Sequence, residues 1–181
     1  MSGISFTAWP RIFLSTGLLL VSLQLRAEPV IEAGFSPEGS AQQLVIRTLH
    51  NARDSIRLMG YTFTSPEVVR DLIAARARGV DVQVVLDEEG NRGRSSQAAM
   101  NSMAGAGIPL RTVSSYRLMH DKVIITDGNT VTTGSFNFTR AAARANSENV
   151  LVVSDMPELA QRYLAHWQSR WNAGQERMLP Y

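Results

Sequence analysis

The chain has 181 residues, of which 44% are hydrophobic, and a formal net charge of +2 at pH 7. This length fits one domain, and this hydrophobic content is sufficient for a full core. There is no cysteine, which excludes disulfides, thiolate metal sites and a lipid-modified N-terminal cysteine but leaves the compartment open.

The N-terminal segment has the pattern of a secretory signal peptide. Arg11 is the only charged residue before Arg26, and the residues between them are mostly apolar. That run is short for a transmembrane helix, which needs about 20 apolar residues. We therefore expect a signal peptide at 1–27, a single mature domain at 28–181, and a periplasmic or secreted protein without stable membrane insertion after cleavage. The alternative is an uncleaved signal anchor.

Cleavage at this point would leave 16 basic and 16 acidic residues, so no global excess of positive charge is expected. Basic residues nevertheless concentrate around the central motif described below: Arg92, Arg94, Arg111, Arg117, Arg140 and Arg144. Together these arginines can follow a phosphate backbone, although for any single one of them a solvated surface position is the favoured interpretation.

Alternating helix and strand signals predict an α/β fold. Strands are expected at 30–35, 56–63, 80–86, 109–113 and 149–153, with a hairpin that turns at Asp127-Gly128-Asn129. Helices are expected to begin at Ser36-Pro37-Glu38, at Ser65-Pro66-Glu67, near Ser95 and at Asp155-Met156-Pro157. These elements predict one domain with a mixed, mostly parallel central sheet and helices on both faces.

The segment from His120 to Asn137 carries the strongest functional signal. It reads HxKx4D, from His120 through Lys122 to Asp127, and after six residues GSxN, from Gly134 to Asn137. Side chains alternate along a strand, so His120 and Lys122 are expected to point the same way. A neutral imidazole can attack phosphorus, while an ammonium and an amide hold the non-bridging oxygens. Gly134 would let the backbone approach a ligand closely.

This pattern resembles the signature of the phospholipase D superfamily, HxKx4Dx6GSxN, at every fixed position. The segments Tyr61–Thr64, Asp87–Asn91 and Asn146–Asn149 are similar to the small secreted bacterial endonucleases of that superfamily. With them, the resemblance covers nearly the whole chain after residue 28.

The resemblance implies a role for each motif residue. His120 is the expected nucleophile, and the only lysine of the chain, Lys122, is expected to bind phosphate. Ser135 and Asn137 are expected to bind phosphate as well. The remaining two members of the expected catalytic set are Glu148, which would orient His120, and Asp127, which would support the site from behind.

The same resemblance implies a metal-independent endonuclease with little sequence preference, which acts on DNA and possibly RNA through a covalent phosphohistidine. Neither a cofactor nor a metal is expected. Because the chain has one motif and the mechanism uses two imidazoles, we expect a homodimer with one shared active site. The alternatives are a phospholipase D or phosphatidyl transferase acting on lipid phosphodiesters, and a non-catalytic nucleic-acid-binding module on the same fold.

Other polar residues have ordinary interpretations. His50 is expected to be a charge at the C-terminal end of the first helix, and His166 to be structural or interfacial. Three scattered histidines without cysteine argue against a zinc site. Asp87-Glu88-Glu89 can be interpreted as a metal cluster, but its position between a strand and Gly90 favours a loop that contacts solvent, substrate or a partner.

Overall fold

The computed structural model of the protein describes residues 28–177. The predicted signal peptide, residues 1–27, lies outside the described residues, so its cleavage remains a prediction. In the described part of the chain, no helix combines the length and the apolar character that crossing a membrane requires.

One sheet of eight strands forms the centre of the domain. In chain order the strands are β1 (Val30–Ser36), β2 (Ser55–Gly60), β3 (Asp81–Asp87), β4 (Leu110–Val113), β5 (Lys122–Thr126), β6 (Thr130–Gly134), β7 (Glu148–Ser154) and β8 (Gln175–Glu176). Across the sheet their order is β1-β7-β6-β5-β2-β3-β4-β8.

The α/β class and the mixed sheet are confirmed, but the expectation of a mostly parallel sheet is wrong. Strand β3 pairs parallel with β2 and β4, and the other five pairs are antiparallel. The reason is the hairpin of β5 and β6. Its short turn forces antiparallel pairing, and β5 then joins β2 in antiparallel orientation, whereas each parallel pair needs a helical crossover.

Helices cover both faces of the sheet, as predicted. They are α1 (Ser40–Asn51), α2 (Pro66–Ala77), α3 (Arg94–Gly105), α4 (Arg140–Arg144) and α5 (Pro157–Ala173). The first four pack on one face around Leu58, Val84 and Ile124. Helix α5 packs on the other face, where Trp167 contributes to a second core. Consecutive strand residues face opposite cores, which explains why the central strands are apolar without alternation.

Two element boundaries differ from the prediction in ways that matter for the site. Helix α1 begins at Ser40 instead of near Ser36, because β1 continues to Ser36 in register with β7. Strand β2 ends at Gly60, so Tyr61 leaves the sheet at its edge, and Phe63 forms only an isolated bridge with Phe138. The short α4 and β8 were not predicted, since five and two residues are too few to show a periodicity.

Candidate active site

The structure brings five of the six predicted site residues into one cleft of about 560 Å³. His120, Lys122, Ser135, Asn137 and Glu148 line it, together with Gly134 and Asn149. The strand order explains this convergence. Because β6 is antiparallel to both of its neighbours, the beginning of β5, the end of β6 and the beginning of β7 lie at the same edge of the sheet.

Lys122 is the buried cation of this cleft. It is 7% exposed, and its Nζ donates a hydrogen bond to the His120 backbone oxygen at 2.8 Å. Burial lowers the pKa of the Lys122 ammonium, while the charges of Asp121 and Glu148 act in the opposite direction. Among residues 28–177, Lys122 forms no ion pair within 4 Å. A buried ammonium without an ion-pair partner favours binding of an anion.

His120 lies at the mouth of the cleft, and an aromatic ring supports its imidazole. The ring centroids of His120 and Tyr61 are 4.7 Å apart and their planes are inclined by 59°. Lys122 Nζ lies 5.4 Å from the same Tyr61 ring, within the range of a cation–π contact. Within the described chain, Glu148 accepts a hydrogen bond from Asn146 at 2.9 Å and none from His120. The structure therefore brings Glu148 into the cleft without the expected Glu148–His120 hydrogen bond.

The GSxN segment supplies polar groups to the opposite wall. Ser135 Oγ accepts hydrogen bonds from the backbone and side-chain nitrogens of Asn149, at 3.0 and 3.3 Å, which leaves its hydroxyl proton available to the cleft. The Oδ1 of Asn137 is buried and has no hydrogen-bond partner among the described residues. The amide nitrogen of Asn137 also makes no hydrogen bond with the described residues, and it can donate one to an oxygen of a phosphate.

Gly134 is required by a contact with the neighbouring strand. Its φ is 154°, and a Cβ atom at this position would lie 2.2 Å from the Asn149 backbone oxygen. This is far below any tolerated contact, so only glycine allows β7 to pass so close. Gly134 also lines the cleft, and the close approach of a ligand to it stays a prediction.

Asp127 is the predicted catalytic residue that the structure places outside the cleft. It follows β5 at the end opposite to Lys122, with a φ of 53° in the hairpin turn. Its carboxylate accepts hydrogen bonds from the backbone N–H groups of Arg53, Asp54 and Ser55, at 2.8 to 3.2 Å. Asp127 therefore fixes the hairpin to the start of β2, which fits support from behind and not contact with a substrate.

Two buried polar side chains, those of Asp87 and Asn91, position His120 and Tyr61. The sequence alone did not assign them this role. Asp87 accepts hydrogen bonds from the backbone N–H groups of Gly90, at 2.7 Å, and Met119, at 2.8 Å, and so holds the residue before His120. Asn91 is fully buried, donates to the backbone oxygen of Tyr61 and accepts from the N–H of Phe63. The only sequence signal for these two residues was the similarity of the segment Asp87–Asn91 to the secreted endonucleases of the superfamily.

These contacts also decide the interpretation of the Asp87-Glu88-Glu89 run. The Asp87 carboxylate is engaged by backbone N–H groups, and Arg92 pairs with Glu88 at 3.3 Å and with Glu89 at 2.8 Å. The run is thus a structural loop. In the part of the chain that the structure describes, no group of three or more histidine, aspartate or glutamate side chains is arranged to hold a metal.

The two other histidines each meet an aspartate, which agrees with structural roles. His50 Nε2 lies 3.1 Å from Asp71 Oδ1, between α1 and α2. His166 Nε2 lies 3.1 Å from Asp121 Oδ1, which connects α5 to the residue between His120 and Lys122.

The chain is similar in sequence and in fold to known proteins. The sequence model of the family described as "Cardiolipin synthase, PLD-like domain" matches residues 45–171. The fold is similar to that of Nuc from Salmonella typhimurium, a phospholipase D family member, with a TM-score of 0.82 and 55% identity over 83% of this chain and 99% of that chain.

Two curated relatives extend this comparison. A phospholipase D of Rickettsia typhi is 35% identical over 75% of this chain and 65% of its own length. A mitochondrial cardiolipin hydrolase of Xenopus tropicalis is 31% identical over 73% of this chain and 61% of its own length. The chain thus spans just under two thirds of these relatives. The matched family model and the motif cleft together place this chain in the phospholipase D superfamily, the class of phosphodiesterases defined by the HxKx4D and GSxN segments.

The position of Asp127 predicts that Asp127→Asn affects stability more than chemistry. Asparagine tolerates the left-handed backbone, but its amide cannot accept every hydrogen bond of the carboxylate. We expect the free energy of unfolding to fall by about 1–3 kcal/mol in urea titrations, while kcat/KM of the folded protein changes little.

Asp54→Asn is the matched control, because the Asp54 side chain is exposed and makes no hydrogen bond or ion pair with the described residues. It should stay within about 0.5 kcal/mol of the wild type. A loss of turnover by Asp127→Asn at unchanged stability would instead assign Asp127 a part in the reaction.

Proposed function

We propose that this protein is a metal-independent endonuclease that hydrolyses nucleic-acid phosphodiesters with little sequence preference, through a covalent phosphohistidine on His120. The observation that carries the proposal is the buried ammonium of Lys122, which has no ion pair among the described residues and lies beside an accessible imidazole. A phosphodiester supplies the missing anion and presents its phosphorus to that imidazole.

The proposed reaction has two displacements. First, an imidazole nitrogen of neutral His120 bonds to phosphorus as the bond to the leaving oxygen breaks, and a second imidazolium gives its proton to that oxygen. Then water attacks the phosphohistidine, its proton passes to the second imidazole, and the N–P bond breaks. Lys122, Ser135 and Asn137 hold the non-bridging oxygens throughout, which is most of what phosphoryl transfer requires from a protein.

Nucleic acid is the favoured substrate because segments of the chain resemble small secreted bacterial endonucleases, and because the similarity to Nuc covers 99% of that small chain at 55% identity. Lipid phosphodiesters are the second candidate, since the relatives in Rickettsia and Xenopus are named phospholipase D and cardiolipin hydrolase. A non-catalytic nucleic-acid-binding module is disfavoured by the intact arrangement of His120 and Lys122. We further propose a periplasmic or secreted location, which rests on the signal-peptide pattern of residues 1–27.

Plasmid cleavage in excess chelator tests this function directly. Imidazoles and an ammonium supply nucleophile, acid and charge neutralisation, so we expect undiminished nicking of DNA and no hydrolysis of phosphatidylcholine vesicles. His120→Ala should abolish cleavage, and Lys122→Arg should be severely impaired, because a planar guanidinium does not replace a compact ammonium. Activity that requires magnesium or zinc, or that acts on vesicles and spares DNA, would refute the proposal.

The second imidazole leads to the proposal of a homodimer. One chain contributes one His120, and the described histidines His50 and His166 are each engaged by an aspartate. A two-fold axis at the cleft would bring together two copies of His120, and mutual repulsion would keep one of them neutral.

An exposed apolar surface beside the cleft supports this dimer. Phe35 is 54% exposed and Ile31 67% exposed on β1, and Leu151 is 38% exposed on β7. Phe35 pairs in register with Asn149, which itself lines the cleft, so the patch reaches the edge of the sheet at which the cleft lies. Exposed apolar patches mark interaction sites, and a second copy of the chain is the occupant that the proposed shared site requires.

Subunit mixing tests the shared site. Wild-type chains are unfolded and refolded with increasing amounts of His120→Ala chains. Activity per total protein should fall as the square of the wild-type fraction, because mixed dimers have only one imidazole. Mixing with Asp54→Asn chains, which keep His120, should leave the activity per total protein nearly constant. A linear fall with His120→Ala chains would mean that each subunit carries its own complete site.

A further inference from the structure

A second cavity lies between α2 and α3, on the sheet face opposite to α5. Its volume is about 780 Å³, larger than that of the cleft. Its walls are apolar over most of their area and include Val69 and Ile73 of α2 and Ala98 and Ala99 of α3. Two arginines also line it, Arg70 of α2 and Arg140, the first residue of α4.

Two short segments connect this cavity to the candidate active site. One leads from Tyr61, which contacts His120, to Thr64, which lines the cavity, and the other leads from Asn137 to Arg140. The N–H groups of Thr64 and Ser65 both donate to the Phe138 backbone oxygen, at 2.8 and 2.9 Å, and so join the segments. Three residues span at most about 11 Å, so Arg140 lies within that distance of Asn137 along the backbone.

The arginines of this cavity differ from most of those that surround the motif. Arg92 pairs with Glu88 and Glu89, and the Arg111 guanidinium lies 4.6 Å from the Trp171 ring. In contrast, neither Arg70 nor Arg140 has a carboxylate within 4 Å among residues 28–177.

Within the described part of the chain, no acidic residue lines the cavity, although one lies close to it. Glu67 lies 3.9 Å from Arg144, the other arginine of α4, and its charge acts on both Arg140 and Arg144. One carboxylate can offset only one of the two charges of α4, so Arg70 and the second α4 arginine leave a net positive charge at the cavity.

We propose that this cavity binds the nucleic-acid strand that flanks the scissile phosphate, with Arg70 and Arg140 on phosphates and the apolar walls against sugars and bases. The proposal rests on the proposed nuclease function. A strand carries one phosphate per about 3.4 Å of duplex axis, so Arg140 can meet a phosphate within a few nucleotides of the one in the cleft. A strand gives both guanidiniums a phosphate, whereas a lipid chain leaves them unpaired.

Strand binding is measured on His120→Ala protein, so that cleavage does not interfere. Fluorescence anisotropy with a labelled single-stranded 20-mer gives the Kd of His120→Ala protein. The same measurement is made on His120→Ala protein that also carries Arg70→Gln and Arg140→Gln. We expect the affinity to fall about tenfold or more, with the salt slope, log Kd against log[salt], reduced by about 1.4, since each lost phosphate contact removes about 0.7. The charge-matched control is Arg53→Gln with Arg162→Gln, both exposed and away from the cavity, which should change neither quantity.

The rate of cleavage, measured on chains that keep His120, gives a second test of the strand site. The kcat/KM for the 20-mer, divided by that for bis(p-nitrophenyl) phosphate, should fall about tenfold in Arg70→Gln/Arg140→Gln, because the small diester has no flanking strand to lose. Unchanged affinity and salt slope would overturn the proposal, and so would a loss confined to binding of phospholipid vesicles. If the wild type cleaves no nucleic acid while the anisotropy difference persists, the proposed function fails and the strand site stands.

Discussion

A buried ammonium at the meeting point of three strands organises the whole site. Lys122 is the first residue of β5, its exposed fraction is 7%, and the described chain offers it no carboxylate within 4 Å. Removing a cation from water costs several kcal/mol unless a partner restores the lost interactions. Here the restoring groups are the His120 backbone oxygen, the Tyr61 ring face and, in the proposed complex, a phosphate. The Lys122 ammonium keeps these partners only if the surrounding segments are held in place, and other hydrogen bonds near the cleft hold them.

That rigidity comes from both ends of the strands. At the far end, Asp127 connects the hairpin to the start of β2 through three backbone N–H groups. At the near end, Asp87 and Asn91 hold the chain next to His120 and the loop that carries Tyr61. None of these three side chains lines the cleft, yet each fixes a segment that does. The proposed reaction tolerates little displacement of the phosphate. The three side chains that fix these segments are therefore as necessary to the reaction as the residues that line the cleft.

The sequence predicted most of the cleft because the motif spacing matches strand geometry. His120, Lys122, Ser135 and Asn137 lie close together as a consequence of one hairpin, and a turn signal and two β-branched runs are sufficient to predict a hairpin. The mostly antiparallel pairing of the strands was not predictable in this way, because it depends on which strand of the sheet the hairpin joins. Glu148 entered the cleft as expected, but its hydrogen bond goes to Asn146. The roles of Asp87 and Asn91 depend on contacts about 30 residues away, which leave no local pattern.

The proposed reaction at phosphorus takes two steps through His120, and the stereochemistry of the product distinguishes it from direct hydrolysis. A dinucleotide with a phosphorothioate of known configuration is cleaved in ¹⁸O-labelled water, and the configuration of the product is determined. Each in-line displacement inverts phosphorus, so a phosphohistidine intermediate predicts net retention. Net inversion would show that water attacks the diester directly, and the account of His120 as nucleophile would then be contradicted.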